Sequence, residues 1–133
     1  MPKTYVEPSE QQKGRAYSPA VITEGGRIVW LAGQVATADA DGKDISGNFD
    51  AQTQRVFALM DQTLRRAGGT LADLVTMTVF IKEPRHGDRF VEIRKGLFPG
   101  GKFPASALIT VSNFARPGIE LEIQGIAVVE RTP

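Results

Sequence analysis

From Asn48 to Gly69 the chain reads NFDAQTQRVFALMDQTLRRAGG, and no other stretch restricts the fold so tightly. Phe49, Val56, Met60, Leu64 and Ala67 fall at spacings of three, four or seven, the repeat of one helix face. Asn48 or Asp50 is the candidate cap, and Gly68-Gly69 is a strong stop. A helix with one apolar stripe has to be covered by another element. The next segment, LVTMTVFI, alternates with the period of a strand, Val75, Met77, Val79 and Ile81 on one face and Thr76, Thr78 and Phe80 on the other.

The remaining elements follow the same logic. GRIVWLAGQVAT has the β-branched content of a strand, and Gly25-Gly26 after YSPAVITE predicts a tight turn, so the chain is expected to open with a hairpin. A shorter helix in RHGDRFVEIRKGLF sets Phe90, Ile93 and Leu97 on one side. FPASALITV then reads as a strand beginning just after Pro104, and IELEIQGIAVVE as a last strand after the turn NFARPG. The order β-β-α-β-α-β-β predicts an α+β layer with parallel crossovers and both helices on one sheet face. On the other face the alternation places Thr76, Thr78, Phe80, Ser106, Leu108, Thr110, Glu120, Glu122, Gln124 and Ile126. That mixture fits burial against other copies of the chain, or else a solvated sheet face.

The 133 residues, 41% of them hydrophobic, are expected to form one domain over 1–133, with 1–15 a flexible N-terminal arm. Sixteen basic and fifteen acidic residues leave a net charge of +1, which provides no long-range field for nucleic acid or an anionic membrane. The absence of cysteine and the single histidine argue against disulfides and a thiolate- or histidine-based metal centre. No apolar run approaches the roughly 20 residues of a membrane span, and MPKTYVEPSE lacks the apolar core of a signal peptide, so a cytoplasmic location is expected.

YSPAV, the strand end LAGQ, PASALITV and IELEIQGIAVV occur in the order and spacing of one family. From about Tyr17 to Val129 the chain resembles the Rid/YjgF reactive-intermediate deaminases, also called L-PSP endoribonucleases. The resemblance implies a chorismate-mutase-like α+β fold and a homotrimer with an inner β-barrel and three inter-subunit clefts. It also implies cofactor-independent hydrolysis of small 2-imino or 2-enamino acids to 2-keto acids and ammonia. In that deaminase branch an arginine follows the PA of the strand motif, where this chain has Ser106, and a glutamate precedes the final small-apolar run, where it has Gln124. An asparagine on the second helix corresponds to Val91 and the serine of SGQ to Ala32, while Tyr17, Gly33 and Gln34 remain.

These departures change the chemistry. Arginine grips a carboxylate with a planar charged fork, whereas serine donates one hydrogen bond. Glutamine orients water but takes no proton. Glu122, roughly 7 Å along the strand from Gln124, is a candidate catalytic carboxylate beside Gln124 itself, or else a paired carboxylate of the trimer core. Arg94 and Arg116 are candidate replacements for the missing cation, Arg94 alternatively a solvated helix charge. Tyr17 and the backbone N–H of Gly33 complete the ligand-binding set with Ser106. His86 reads as a surface or capping residue rather than a catalyst. Three functions compete: hydrolysis of an imine, enamine or unsaturated acid other than the generic 2-aminoacrylate substrate; metabolite binding by the trimer without turnover; and RNA cleavage. The last is disfavoured by 8% aromatic content and the lack of a histidine pair.

Overall fold

In a computed structural model, which describes residues 2–130, the first long helix runs from Phe49 to Arg66 (α1). Asn48 is its cap, the side chain accepting the Ala51 N–H at 3.0 Å. Asp50 in the first turn and Arg65 and Arg66 in the last complement the helix dipole. At the other end Gly68 takes φ 90°, and the N–H groups of Gly68 and Gly69 return to Arg65 and Leu64 at 3.2 and 2.9 Å. This glycine-terminated cap closes the last open carbonyls.

The stripe of α1 buries Phe49, Val56, Phe57, Met60 and Leu64, and with them Gln52, which is fully enclosed. Gln52 Nε2 donates to the carbonyls of Ile45 (3.0 Å) and Gly118 (2.7 Å), and its Oε1 accepts the Glu120 N–H at 2.8 Å. One side chain thereby fixes the start of the last strand against α1.

Five further strands and one helix complete the α+β layer with Lys3–Tyr5 (β1): Val21–Thr23 (β2), Arg27–Gln34 (β3), Leu74–Ile81 (β4), Gly87–Lys95 (α2), Ala105–Thr110 (β5) and Leu121–Val129 (β6). The main sheet has the order β3-β6-β4-β5, with β4 and β5 parallel and the other neighbours antiparallel. The core lies between this sheet and the two helices. No helix among the described residues is long and apolar enough to cross a membrane.

Register corrects three expectations. Leu74 pairs with Ala127 and Thr76 with Ile126, so Val75 sits in a bulge and Leu74, 1% exposed, takes its place on the buried face. On β5, Ser106 pairs with Met77 and Leu108 with Val79. Paired residues project to the same side, so Ser106, Leu108 and Thr110 belong to the helix-covered face, opposite to the side inferred from alternation alone. Ala105, Ala107 and Ile109 occupy the open face instead, beside Thr76, Thr78 and Phe80. Finally, Gly25 and Gly26 do turn the chain at φ 71° and 81°, but β2 pairs with β1 while β3 pairs with β6, so the expected hairpin ladder is absent among the described residues.

The N-terminal segment expected as a flexible arm contains β1, and Lys3 Nζ meets Asp73 Oδ1 at 3.1 Å. The open sheet face presents Ile28, Trp30 and Ile109 at 57%, 73% and 42% exposure. Replacing Gln52 with alanine strands two carbonyls and one N–H. We expect Gln52→Ala to lower the unfolding free energy in urea by about 2–4 kcal/mol; a loss below about 1 kcal/mol would contradict this role.

Candidate functional site

Beyond the edge of β5 lies a cleft of about 170 Å³ lined by Arg15, Tyr17, Val91, Arg94, Ser106 and Leu108. Val91 and Arg94 are three residues apart on α2 and share a helix face, while Ser106 and Leu108 are two apart on β5 and share a strand face. The third wall is the N-terminal segment, which lies along β5 through a Ser18 N–H to Pro104 carbonyl bond of 3.1 Å. Between the two lining residues of that segment, buried Ala16 adopts φ 61°, the one positive φ of a non-glycine residue among those described. Such a backbone costs an alanine about 1–2 kcal/mol.

Arg94 is the centre of the cleft. Only 2% exposed, it donates from Nη1 to Ser106 Oγ at 2.8 Å and from Nη2 to the Arg15 carbonyl at 3.1 Å, and its guanidinium lies 5.0 Å from the centroid of the Phe90 ring. Met77 Sδ is 4.0 Å from Nη1. Its Nε is buried without a hydrogen-bond partner, and among the described residues no carboxylate pairs with it. Burial pulls its pKa down to about 10, the charge of Arg15 acting in the same direction and Tyr17 against it. The solvated helix charge considered for Arg94 is therefore replaced by a buried cation. The helical stripe carried the clue, because Arg94 follows Phe90 by four residues and so falls on its buried side.

Arg15 stands at the rim, its Nη1 2.9 Å from Asp88 Oδ1. It was not among the residues singled out from the sequence. Nothing in its local pattern marks it, since its place depends on the turn at Ala16.

The other candidates gather on the open sheet face. Leu31 pairs with Gly125 and Gln34 with Ile123, so Ala32 and Gly33 together oppose Gln124 in a bulge. Gln124 is exposed there and borders a hollow of about 300 Å³ with Trp30, Thr76, Thr78 and Ile126. The Glu122 carboxylate lies against the Cα of Gly33, where any side chain would collide with Oε2. Glu122 is half-buried and has no hydrogen bond or ion pair among the described residues. Thus Tyr17, Arg94 and Ser106 meet in one cleft, and Gly33, Glu122 and Gln124 meet elsewhere. Arg116 is exposed in the loop before β6 and lines neither hollow. His86 stacks on Phe49 with centroids 4.3 Å apart. No cluster of His, Cys, Asp or Glu among the described residues is placed to hold a metal ion.

A cation buried without a counter-charge is a burden on the fold. Arg94→Met keeps an extended side chain and removes the charge, so the variant is expected to unfold in urea at or above the parent's midpoint. A loss of about 3–5 kcal/mol, the cost of breaking a buried ion pair, would show that hydrogen bonds to Ser106 and Arg15 outweigh desolvation.

The family model described as endoribonuclease L-PSP matches residues 9–129. Protein DfrA of Myxococcus xanthus is 31% identical over 112 residues, covering 84% of each chain, and a RutC family protein of Pyrococcus abyssi is 29% identical over 114 residues, covering 86% of this chain and 87% of its own. Among solved structures, the Rid family protein YyfB of Yersinia pestis superposes with a TM-score of 0.85 at 28% identity, covering 97% of this chain and all of that one. A YjgF/YER057c/UK114 family member from Mycobacterium tuberculosis gives a TM-score of 0.64 at 27% identity, with 96% of this chain and 100% of that chain covered. With its sheet, helices and nearly full length matched, this chain belongs to the Rid/YjgF family, the endoribonuclease L-PSP family of the matching model.

Proposed function

We propose that this protein binds small carboxylates in clefts between the subunits of a homotrimer and hydrolyses an imine, enamine or related unsaturated acid there. The observation that carries the reading is Arg94, a guanidinium 2% exposed with no carboxylate paired to it among the described residues, bonded to Ser106 at the wall of a small cleft. The deaminase branch of the family carries its arginine on the strand, at the position of Ser106. Here the charge comes from α2, on the opposite wall. Because Ser106 Oγ accepts from Arg94, its own hydroxyl hydrogen is left to donate to a ligand oxygen.

A base is the second requirement. None of the six residues lining the cleft is a carboxylate or histidine. Glu122 and Gln124 lie on the other face, toward the β3 edge of the sheet, whereas Ser106 is on the β5 edge. Bringing them together takes a second copy, and the apolar open face around Ile28, Trp30 and Ile109 is the surface that such packing would cover. In the assembled cleft, Arg94 and Ser106 hold the substrate carboxylate, and Glu122 of the partner subunit, oriented with Gln124, takes a proton from water as the hydroxide adds to the C=N carbon and returns it to the nitrogen. As the C–N bond of the carbinolamine breaks, its hydroxyl proton passes through the same carboxylate to the nitrogen, releasing ammonia and leaving a 2-keto acid. Tyr17 offers its phenol to the same ligand.

The lack of any base within the cleft of one chain favours a second reading, ligand binding without turnover. Nuclease action has less behind it: Arg85 is bonded to Glu83, and Arg89 to Asp50 and Glu92, so the basic side of α2 is largely neutralised.

The test pairs calorimetry with ammonia release from a panel of enzymatically generated imines. Carboxylate binding is expected in the parent and its loss in Arg94→Met. Glu122→Gln should bind but not turn over, and release from 2-iminopropionate should not exceed that in buffer. A ligand bound and recovered unchanged throughout the panel supports binding alone; undiminished carboxylate affinity in Arg94→Met overturns the role of Arg94. Light scattering should give the mass of three chains, and Trp30→Glu should lower it.

A further inference from the structure

Two guanidiniums, not one, line the cleft. Arg94 forms the floor, and Arg15 stands at the rim with its side chain 43% exposed. The two are joined, since Arg94 Nη2 donates to the Arg15 carbonyl at 3.1 Å. Along α2, Asp88, which holds Arg15, is followed at steps of three by Val91 and Arg94, so Val91, which is 4% exposed, lies between the two charges, and Leu108, which packs on the core, lines the cleft with it. Reading outward, the wall runs cation, hydrocarbon, cation.

We infer that the cleft is built for a short dicarboxylate, one carboxylate held by Arg94 and Ser106, the carbon chain against Val91 and Leu108, and the second carboxylate held by Arg15. This rests on the assignment of Arg94 as the carboxylate-binding residue and adds the substrate class. Asp88 is the competitor, holding Arg15 at 2.9 Å, but its side chain is 87% exposed. Exposed ion pairs of this kind add little to stability, so a ligand carboxylate displaces it at little cost. A three-carbon monoacid leaves the rim charge unused, which accords with a substrate other than 2-iminopropionate.

The experiment is calorimetric titration of the full chain, at constant ionic strength, with succinate and fumarate against butyrate and crotonate, which match them in carbon number. The diacids should bind about tenfold or more tightly than the monoacids, the scale of one added charge-assisted pair. In Arg15→Gln diacid affinity should fall to about that of the monoacids, so that the gap closes. The backbone carbonyl that receives Arg94 survives this substitution. Asp88→Asn should widen the gap, since it frees Arg15. Equal affinities for diacids and monoacids in the parent overturn the inference and leave the carboxylate assignment intact. So does a gap unchanged in Arg15→Gln, which would place the second charge elsewhere. Failure of all four acids to bind removes the assignment of Arg94 itself, and the inference with it.

Discussion

The hydrogen bond from Arg94 to Ser106 ties together two walls of the cleft, α2 and the edge strand β5. A guanidinium in this position has lost nearly all contact with water and, among the described residues, gained no carboxylate in return. What it has gained is partial: two oxygen acceptors, a ring face at Phe90 and the sulfur of Met77. One of those acceptors, the Arg15 carbonyl, precedes Ala16, which adopts a left-handed backbone unfavourable for alanine. Two unfavourable features, a cation without a counter-charge and a strained residue beside it, converge on one small cleft. Neither is explained by stability, and convergence of this kind is characteristic of regions retained for binding.

The same geometry explains why one chain looks incomplete. Ser106 belongs to β5 at one edge of the sheet and Gly33 to β3 at the other, on opposite faces. The bulge at Ala32 and Gly33 opens the ladder opposite Gln124 and leaves room for the Glu122 carboxylate against a glycine Cα. In the proposed assembly these edges meet, so the unmatched cation of one copy faces the unmatched carboxylate of another. On that proposal, both charges that the resemblance to the deaminase branch implies are displaced rather than lost, the guanidinium from strand to helix and the carboxylate two residues back along β6.

Much of the architecture was legible. The cap at Asn48, the glycine stop, the alternation of β4 and the covering of one sheet face all follow from short-range patterns, and so did the family. The errors arose where long-range register decides. Alternation within FPASALITV shows that Ser106 and Leu108 share a face but not which one, and only the pairing with Met77 and Val79 places them under the helices. The bulge at Val75 likewise shifts the buried series to Leu74. Gln52 was not singled out, because two of its three backbone partners, Gly118 and Glu120, lie in a loop far along the chain. Arg15 was invisible for a related reason: its role is set by a turn whose conformation no local signal announces.

The claim at the centre of this account is that Arg94 receives the ligand's charge. Proton–nitrogen correlation spectroscopy of the Arg94 Nε–H, identified by its disappearance in Arg94→Met, observes that group directly, because its Nε has no hydrogen-bond partner among the described residues. On titration with succinate the resonance should move and saturate along the same curve as calorimetric binding. Binding that saturates while this resonance stays fixed would show that the ligand's charge is met elsewhere.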